Sequence, residues 1–210
     1  MPTRADCLVV VFARAPRAGT VKTRLARRLG DGAAARLHQR LVRAALRTAR
    51  DARCGVLELH ASAGHTWFAT LHVTLRLQRG ADLGERMFHA LRHGLRRHRR
   101  VLLIGSDAPS LSGADLSRAA RWLRGGADVV LAPAEDGGYA LIGARRIAAA
   151  VFSSVDWGGD AVIRQTRENL QGAGLRWREL RTVWDVDRPQ DLERLRSLRF
   201  SSAGRRRARR

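Results

Sequence analysis

The sequence predicts an α/β protein in which helices cover a largely parallel sheet. Three observations carry that expectation. Short apolar runs that read as strands alternate with amphipathic helical stretches along the chain. Two of the runs, Cys7 to Phe12 and Val101 to Gly105, are continuously apolar, as buried strands are. The loop after the first run opens directly into a helix, which is how a β-α unit begins.

The elements follow in order. Pro16 and Gly19 end regular structure past the first strand. Thr20 is placed to cap a helix from Val21 to Leu29, with Gly30 as its stop. Asp31 to Arg50 is amphipathic: Leu37, Leu41, Ala45 and Ala49 form one stripe, Ala34 and Leu46 flank it, and arginines lie opposite. Gly55 to His60 alternates as a second strand, His65 to Leu71 reads as a short helix, and Val73 to Leu77 as a third strand. Gly80 breaks that strand, Asp82 and Glu85 form a capping box, and a helix runs from Leu83 to Arg97. After Val101 to Gly105, a helix spans Ser112 or Gly113 to Arg124, with Leu116, Ala120 and Leu123 inward. Asp128 to Ala132 and Tyr139 to Gly143 are strands. Val151 to Gly159 reads as a loop or lid, Asp160 as the cap of a helix through Leu170, and Leu175 to Val183 as a strand. Asp187 reads as the N-cap of a last helix, with Pro189 and Gln190 in its first turn and Leu192, Leu195 and Leu198 continuing it.

Length and composition bound the function. The 210 residues suit one domain, residues 1–200, followed by an Arg-rich tail, 201–210, that reads as solvated and disordered. The longest apolar run, Cys7 to Ala13, is far short of the ~18 residues of a membrane span. It also lacks the features of a signal peptide, so the expected location is the cytoplasm. Cys7 and Cys54 are the only cysteines and form no C-x-x-C, which points to two buried thiols. A net charge of +21 invites a polyanion reading. Against nucleic acid as a partner, the arginines are spread over the whole chain, aromatics are 5%, and no zinc-finger spacing occurs. Use of Arg in place of Lys also fits a codon bias toward G and C.

Four stretches carry candidate chemistry. The first is Ala13 to Ala26, where Arg14, Arg17, Lys22 and Arg24 crowd a strand-to-helix loop; Lys22 is the single lysine among forty basic residues. Free N–H groups, a helix dipole and four cations suit a nucleotide pyrophosphate. Neither a Walker A motif nor G-x-G-x-x-G is present, which disfavours P-loop ATPases and NAD dehydrogenases. The second places Gln78, Asp82 and Arg86 at another strand-to-helix edge, where they either cap the helix or read a base or ribose. The third is Asp107, just past the clearest strand, which either holds Mg²⁺ or Mn²⁺ on nucleotide phosphates or makes an Asx-turn before Pro109. The fourth is Glu135-Asp136-Gly137-Gly138-Tyr139, either a carboxylate-lined site or a hairpin turn. Asp185 and Asp187, two apart, face one way if extended and add a cation site. His89 and His93 sit one turn apart on a helix but lack H-E-x-x-H and a third ligand, so they read as a solvated face.

Five ordered segments resemble a known family: F-A-R-A-P-R-A-G-T-V-K-T-R-L, G-A-D-L-G-E-R-M, L-I-G-S-D-A-P, P-A-E-D-G-G-Y-A-L-I-G and D-V-D-R-P-Q-D-L, spanning Phe12 to Leu192. The family is the bacterial DUF2064 group, uncharacterised proteins with the GT-A, nucleotide-diphospho-sugar-transferase fold. The resemblance implies a three-layer α/β/α sandwich that binds a nucleotide at the C-terminal ends of its first strands. It implies that Arg14, Gly19, Lys22, Thr23 and Arg24 line the phosphates and that Asp107 sits where the fold holds its metal. Gly137, Gly138, Tyr139 and Trp157 then face the acceptor, beside Glu135 and Asp136. The fold's usual Asp-x-Asp is reduced here to Ser106-Asp107, leaving Asp185 or Asp187 to supply a second ligand. Gly158-Gly159 replaces the Ser-Thr common after Trp157.

The expected activity is metal-dependent transfer of a sugar from a nucleotide-diphosphate donor to a small-molecule acceptor, with Mg²⁺ or Mn²⁺ and the basic loop stabilising the departing diphosphate and Asp136 or its neighbour Glu135 as base. Nucleotidyl transfer is the alternative, because the fold also resembles guanylyltransferases whose loop carries Lys-Thr-Arg-Leu. A polyanion-binding protein is the third, and it leaves Asp107, Asp136 and Asp185 unexplained.

Overall fold

The computed structural model of the protein describes residues 5–198. The tail expected over 201–210 lies outside the described residues. One seven-stranded sheet organises the rest, in the order β3-β2-β1-β4-β6-β5-β7. Its strands are β1 (Ala5–Ala13), β2 (Val56–Ala61), β3 (Thr74–Leu77), β4 (His98–Gly105), β5 (Val129–Pro133), β6 (Tyr139–Ala144) and β7 (Trp177–Glu179). The helices are α1 (Thr23–Leu29), α2 (Asp31–Ala52), α3 (Leu83–Arg97), α4 (Gly113–Arg124) and α5 (Val162–Gly172), and residues 191–198 are also helical. Among the described residues no helix is long and apolar enough to cross a membrane.

The layers follow from side-chain alternation along β1. Cys7, Val9 and Val11 pack with Val42 and Leu46 of α2 and Leu116 and Leu123 of α4. Leu8, Val10 and Phe12 pack on the opposite face with Met87 and Leu91 of α3 and Leu170 of α5. A strand covered on both faces needs apolar residues at every position, which explains the continuous run. The expected three-layer α/β/α sandwich is thus the observed one. A third cluster, Leu25, Leu37, Leu41 and Val186, fastens α1 and the C-terminal segment to α2.

Several boundaries differ from expectation, each for a local reason. β6 runs antiparallel to β4 and β5, so residues 134–138 form a hairpin; the Gly137 N–H donates to the Ala134 carbonyl at φ +87°. β7 is shorter than Leu175 to Val183, and Val183 makes only an isolated bridge to Ala134. Helix α1 starts at Thr23, not Val21, because Val21 is drawn into the core. Lys22 is its N-cap, held left-handed at φ 51° without a side-chain cap bond, and the Thr20 hydroxyl donates instead to the Arg17 carbonyl, 3.0 Å away. Asp160 does not cap α5; Ala161 stands there, with no side-chain bond. Asp187 does not cap the last helix either. Asp191 accepts the N–H groups of Asp187 and Arg188, and Asp187 pairs with Arg24. Asp82 does cap α3, accepting the Glu85 N–H at 2.8 Å, but Glu85 reaches Ala81 rather than the N-cap residue. Cys7 is buried, its thiol pushed up to about 12 by burial first and then by Cys54, while Cys54 is half-buried; both are free.

A buried charge cluster joins the edge of the sheet to α3. Glu58 of β2, only 3% exposed in its side chain, accepts from Arg76, Arg97 and His60 at 3.0 Å each. Burial pushes its carboxyl up, but hydrogen bonds from Arg97 and His60 and the two guanidiniums outweigh that and hold it at about 2. Because the folded value is depressed, the cluster stabilises fully above pH ~4.5 and fades as pH falls toward ~2. Urea unfolding across that window should therefore show Glu58→Gln with a flatter acid limb than the parent, and a loss of about 3 kcal/mol at neutral pH. At Lys22, Gly should be more stable than Ala by about 0.5–1 kcal/mol in the same assay, since both lose the side chain and only Ala keeps the left-handed strain.

Candidate functional site

The C-terminal ends of β1 and β4 are neighbours because those strands pair in parallel, Phe12 opposite Gly105. The loops that leave them meet. Lys22 Nζ lies 2.8 Å from Asp107 Oδ2, with the lysine side chain 5% exposed and the aspartate 42% exposed. A buried ammonium thus faces a carboxylate that opens on solvent. Burial raises the Asp107 carboxyl, and Lys22 and His38 outweigh it, holding the group well below the usual carboxylate range.

His38 is the functional residue that sequence reading missed. It lies on the buried stripe of α2, beside Leu37 and Leu41. Its Nε2 is 3.0 Å from the Arg14 carbonyl, which can only accept, so that nitrogen carries a hydrogen. Its Nδ1 is buried without a hydrogen bond, 3.8 Å from Asp107 Oδ1. A lone polar side chain within an apolar helix stripe was the available signal.

The C-terminal segment closes the third side. The Val186 N–H donates to the Asp107 carbonyl at 2.9 Å, and the Ser110 hydroxyl clips the Trp184 backbone at 2.9 Å. Val186 is fully buried between Asp185 and Asp187, so the two acids flank an inward anchor. Arg24 takes Asp187. Asp185 is pushed up to about 6, first by burial, then by Asp136 and Asp187 against the pull of Lys22. The Glu135 N–H donates to the Val183 carbonyl at 3.0 Å, which sets the hairpin that carries Asp136 beside this segment.

The remaining expected residues divide. Arg14 and Gly19 are exposed on the β1 loop and Thr23 and Arg24 in the first turn of α1, and the Arg14 guanidinium makes no hydrogen bond or ion pair among the described residues. Gln78 donates to the His60 carbonyl at 2.9 Å, Asp82 caps α3, and Arg86 braces the Gly80 carbonyl at 3.0 Å, so all three have structural partners. Glu135 is held by both nitrogens of Arg194, at 2.7 and 2.9 Å, while Asp136 accepts the Gly138 N–H across the turn at 3.0 Å. Gly137 packs against the Asp160 backbone so closely that a Cβ would lie 2.0 Å from its oxygen. Tyr139 and Trp157 meet edge to face at 6.4 Å, with Trp157 against Gly84 at the start of α3, so they sit on the α3 side of the sheet.

The acids at the rim are oxygen donors, which suit Mg²⁺ or Mn²⁺. They do not form a cage: among the described residues no three His, Cys, Asp or Glu side chains gather at metal-binding distance. Asp107 and Asp187 are each neutralised by a cation of the β1 loop and its helix. The expected three-carboxylate set of Asp107, Asp185 and Asp187 is brought to one rim but not assembled.

The fold recurs in proteins of known structure. A protein from Desulfovibrio desulfuricans G20, described provisionally as a nucleotide-diphospho-sugar transferase, has 33% identity and a TM-score of 0.80 over 87% of this chain and 82% of its own. CMP:2-keto-3-deoxy-manno-octonic acid synthetase, solved with CTP, shares the fold at 13% identity and TM-score 0.60, covering 94% of this chain and 99% of that one. A Mycobacterium tuberculosis H37Rv protein solved with manganese shares it at 20% identity and TM-score 0.51, covering 90% and 97%. No curated protein matches. Residues 41–159 match the family described as "Uncharacterized protein conserved in bacteria (DUF2064)", and with the Desulfovibrio relative this shows that the chain belongs to that family.

Proposed function

We propose that the protein is a transferase that moves a sugar from a nucleotide-diphosphate donor to a small-molecule acceptor, with the donor's phosphates over the β1 loop. The observation that carries the reading is Lys22 set against Asp107 at the rim where two parallel strands end, below the exposed Arg14. Such a rim is where open α/β sheets bind ligands. The relative at 33% identity, described as a nucleotide-diphospho-sugar transferase, supports it.

Each residue then has a task. Arg14, Lys22 and the backbone around Gly19 bind the diphosphate, whose charge grows as the sugar leaves. Asp107 and Asp185 would hold a divalent cation, since Mg²⁺ commonly takes one or two carboxylates plus substrate phosphates. When bound, that cation supplies charge neutralisation at the diphosphate. His38 positions the start of the β1 loop by tying the Arg14 carbonyl to α2. Asp136, exposed and close enough to raise Asp185, takes the proton of the acceptor hydroxyl. Glu135, engaged by Arg194, instead holds the hairpin in place. Tyr139 and Trp157 offer the acceptor an apolar wall.

Nucleotidyl transfer is the second reading. It is favoured by the surplus of positive charge on the loop, which accommodates a triphosphate as readily as a diphosphate, and by the fold shared with a CTP-bound synthetase.

The products decide between the readings. With Mn²⁺ and a panel of nucleotide sugars and nucleotides, sugar transfer releases a nucleoside diphosphate; pyrophosphate release would overturn it in favour of nucleotidyl transfer. In a thermal-shift titration, Lys22→Ala should weaken nucleotide binding about tenfold or more with or without metal, the size of one charge-assisted contact. Asp107→Asn should lower the melting temperature of the free protein, because it leaves the buried Lys22 ammonium without its anion, and should also remove the increment that metal adds.

A further inference from the structure

We infer that the Lys22–Asp107 ion pair is a latch: a phosphate draws the Lys22 ammonium away, and only then is Asp107 free to take a divalent cation. The inference rests on the proposed function, from which it takes only that this rim holds a phosphate and a cation. The tasks given to the two residues conflict with the contact between them. Lys22 is to hold phosphate and Asp107 is to hold a cation, yet each is engaged by the other at 2.8 Å. A divalent ion on the same carboxylate would meet the ammonium a few ångströms away, and like charges that close repel. Asp187 is likewise taken by Arg24. Of the three acids expected to bind metal, only Asp185 makes no ion pair among the described residues.

The surroundings say which partner moves. Asp107 is fixed at both ends: its carbonyl accepts the Val186 N–H at 2.9 Å, and its Oδ1 accepts the Ser106 hydroxyl at 3.2 Å, with His38 Nδ1 at 3.8 Å. The Lys22 backbone is also held, its carbonyl accepting the Leu25 and Ala26 N–H groups at 2.9 and 2.8 Å. What remains free to turn is the four-carbon stem of the lysine, whose torsions move between staggered wells. Its ammonium, though buried, touches a carboxylate that opens on solvent, so a short swing of the tip brings it to the rim. Arg14 stands exposed on the same loop, its guanidinium uncommitted among the described residues, to receive a phosphate first. Phosphate favours the lysine turned out, and a cation favours the aspartate released. Both ligands therefore select one open state, and each must tighten the other.

Two measurements on the full chain test this. Because Lys22 is the single lysine, isotope labelling of lysine at Cε and Nζ gives one side-chain NMR signal for the whole protein. Asp107→Asn should shift that signal, and inorganic pyrophosphate without metal should shift it in the parent. The second measurement is a titration with Mn²⁺ alone, followed by the electron paramagnetic resonance of the free ion. Lys22→Met should bind Mn²⁺ about tenfold tighter than the parent or more, the scale of a typical coupling between sites. A residue that merely supports the site would weaken metal binding when removed. Lys22→Asn, which tolerates the left-handed backbone, should show the same gain. Adding Asp107→Asn to Lys22→Met should abolish it. Arg28→Met, the same change of net charge on an exposed position of α1, should leave Mn²⁺ affinity where it is. Circular dichroism and melting confirm that each variant is folded. No gain in Lys22→Met and Lys22→Asn would overturn the latch, as would an equal gain in Arg28→Met, a gain that survives Asp107→Asn, or a lysine signal indifferent to pyrophosphate or to Asp107→Asn. Turnover of a nucleotide sugar alongside any of those results sinks the latch and leaves the proposed function standing. A demonstrated latch with pyrophosphate release and no sugar transfer does the reverse.

Discussion

The rim of the sheet depends on one contact, the ammonium of Lys22 on the carboxylate of Asp107. An almost fully buried cation is costly unless an anion meets it, and Asp107 is that anion. The same aspartate offers its backbone carbonyl to Val186, so one residue joins the β1 loop, the end of β4 and the C-terminal segment. The left-handed turn at Lys22 belongs to this arrangement: it delivers the side chain inward at the point where α1 begins. A lysine, compact and flexible at its tip, makes this contact in a chain that otherwise uses arginine.

The acids of the protein are scarce against its bases, 19 to 40. Most are spent on architecture. Glu58 ties β2 to β3 and α3, Asp128 takes Arg145 and the Arg176 backbone, and Asp115 closes a capping box while holding Arg181. Against that background a rim bearing Asp107, Asp136, Asp185 and Asp187 is a local reversal of sign. Burial first, and then repulsion from Asp136 and Asp187, raises the proton affinity of Asp185 there. Such crowding creates demand for a cation, while the adjoining loop creates demand for an anion. A nucleotide phosphate with a divalent ion meets both.

Sequence reading reached the elements and their order because each is written in local periodicity. The stripe of α2, the continuous apolar run of β1 and the span of α4 from Gly113 to Arg124 are all found where expected. It also brought out Lys22, Asp107 and Asp185. Where it failed, a local signal was captured by a distant partner. Asp187 has the look of an N-cap, yet Arg24 claims it from 163 positions away. Thr20 and Asp160 likewise had cap-like contexts that the surrounding packing overrode. His38 gave little sign of itself because its partner is a carbonyl on another element. The direction of β6 was open for a different reason: a two-glycine turn permits both a site loop and a hairpin, and only strand pairing selects.

The sequence by itself determined which segments are helix, strand and turn, and that a cationic loop follows the first strand. Those properties arise between residues a few positions apart. The tertiary structure alone decided which carboxylate meets which cation, and that the loops after β1 and β4 meet at one rim. Charges and surfaces act through space, and the folded sheet brings distant parts of the chain within a few ångströms of one another.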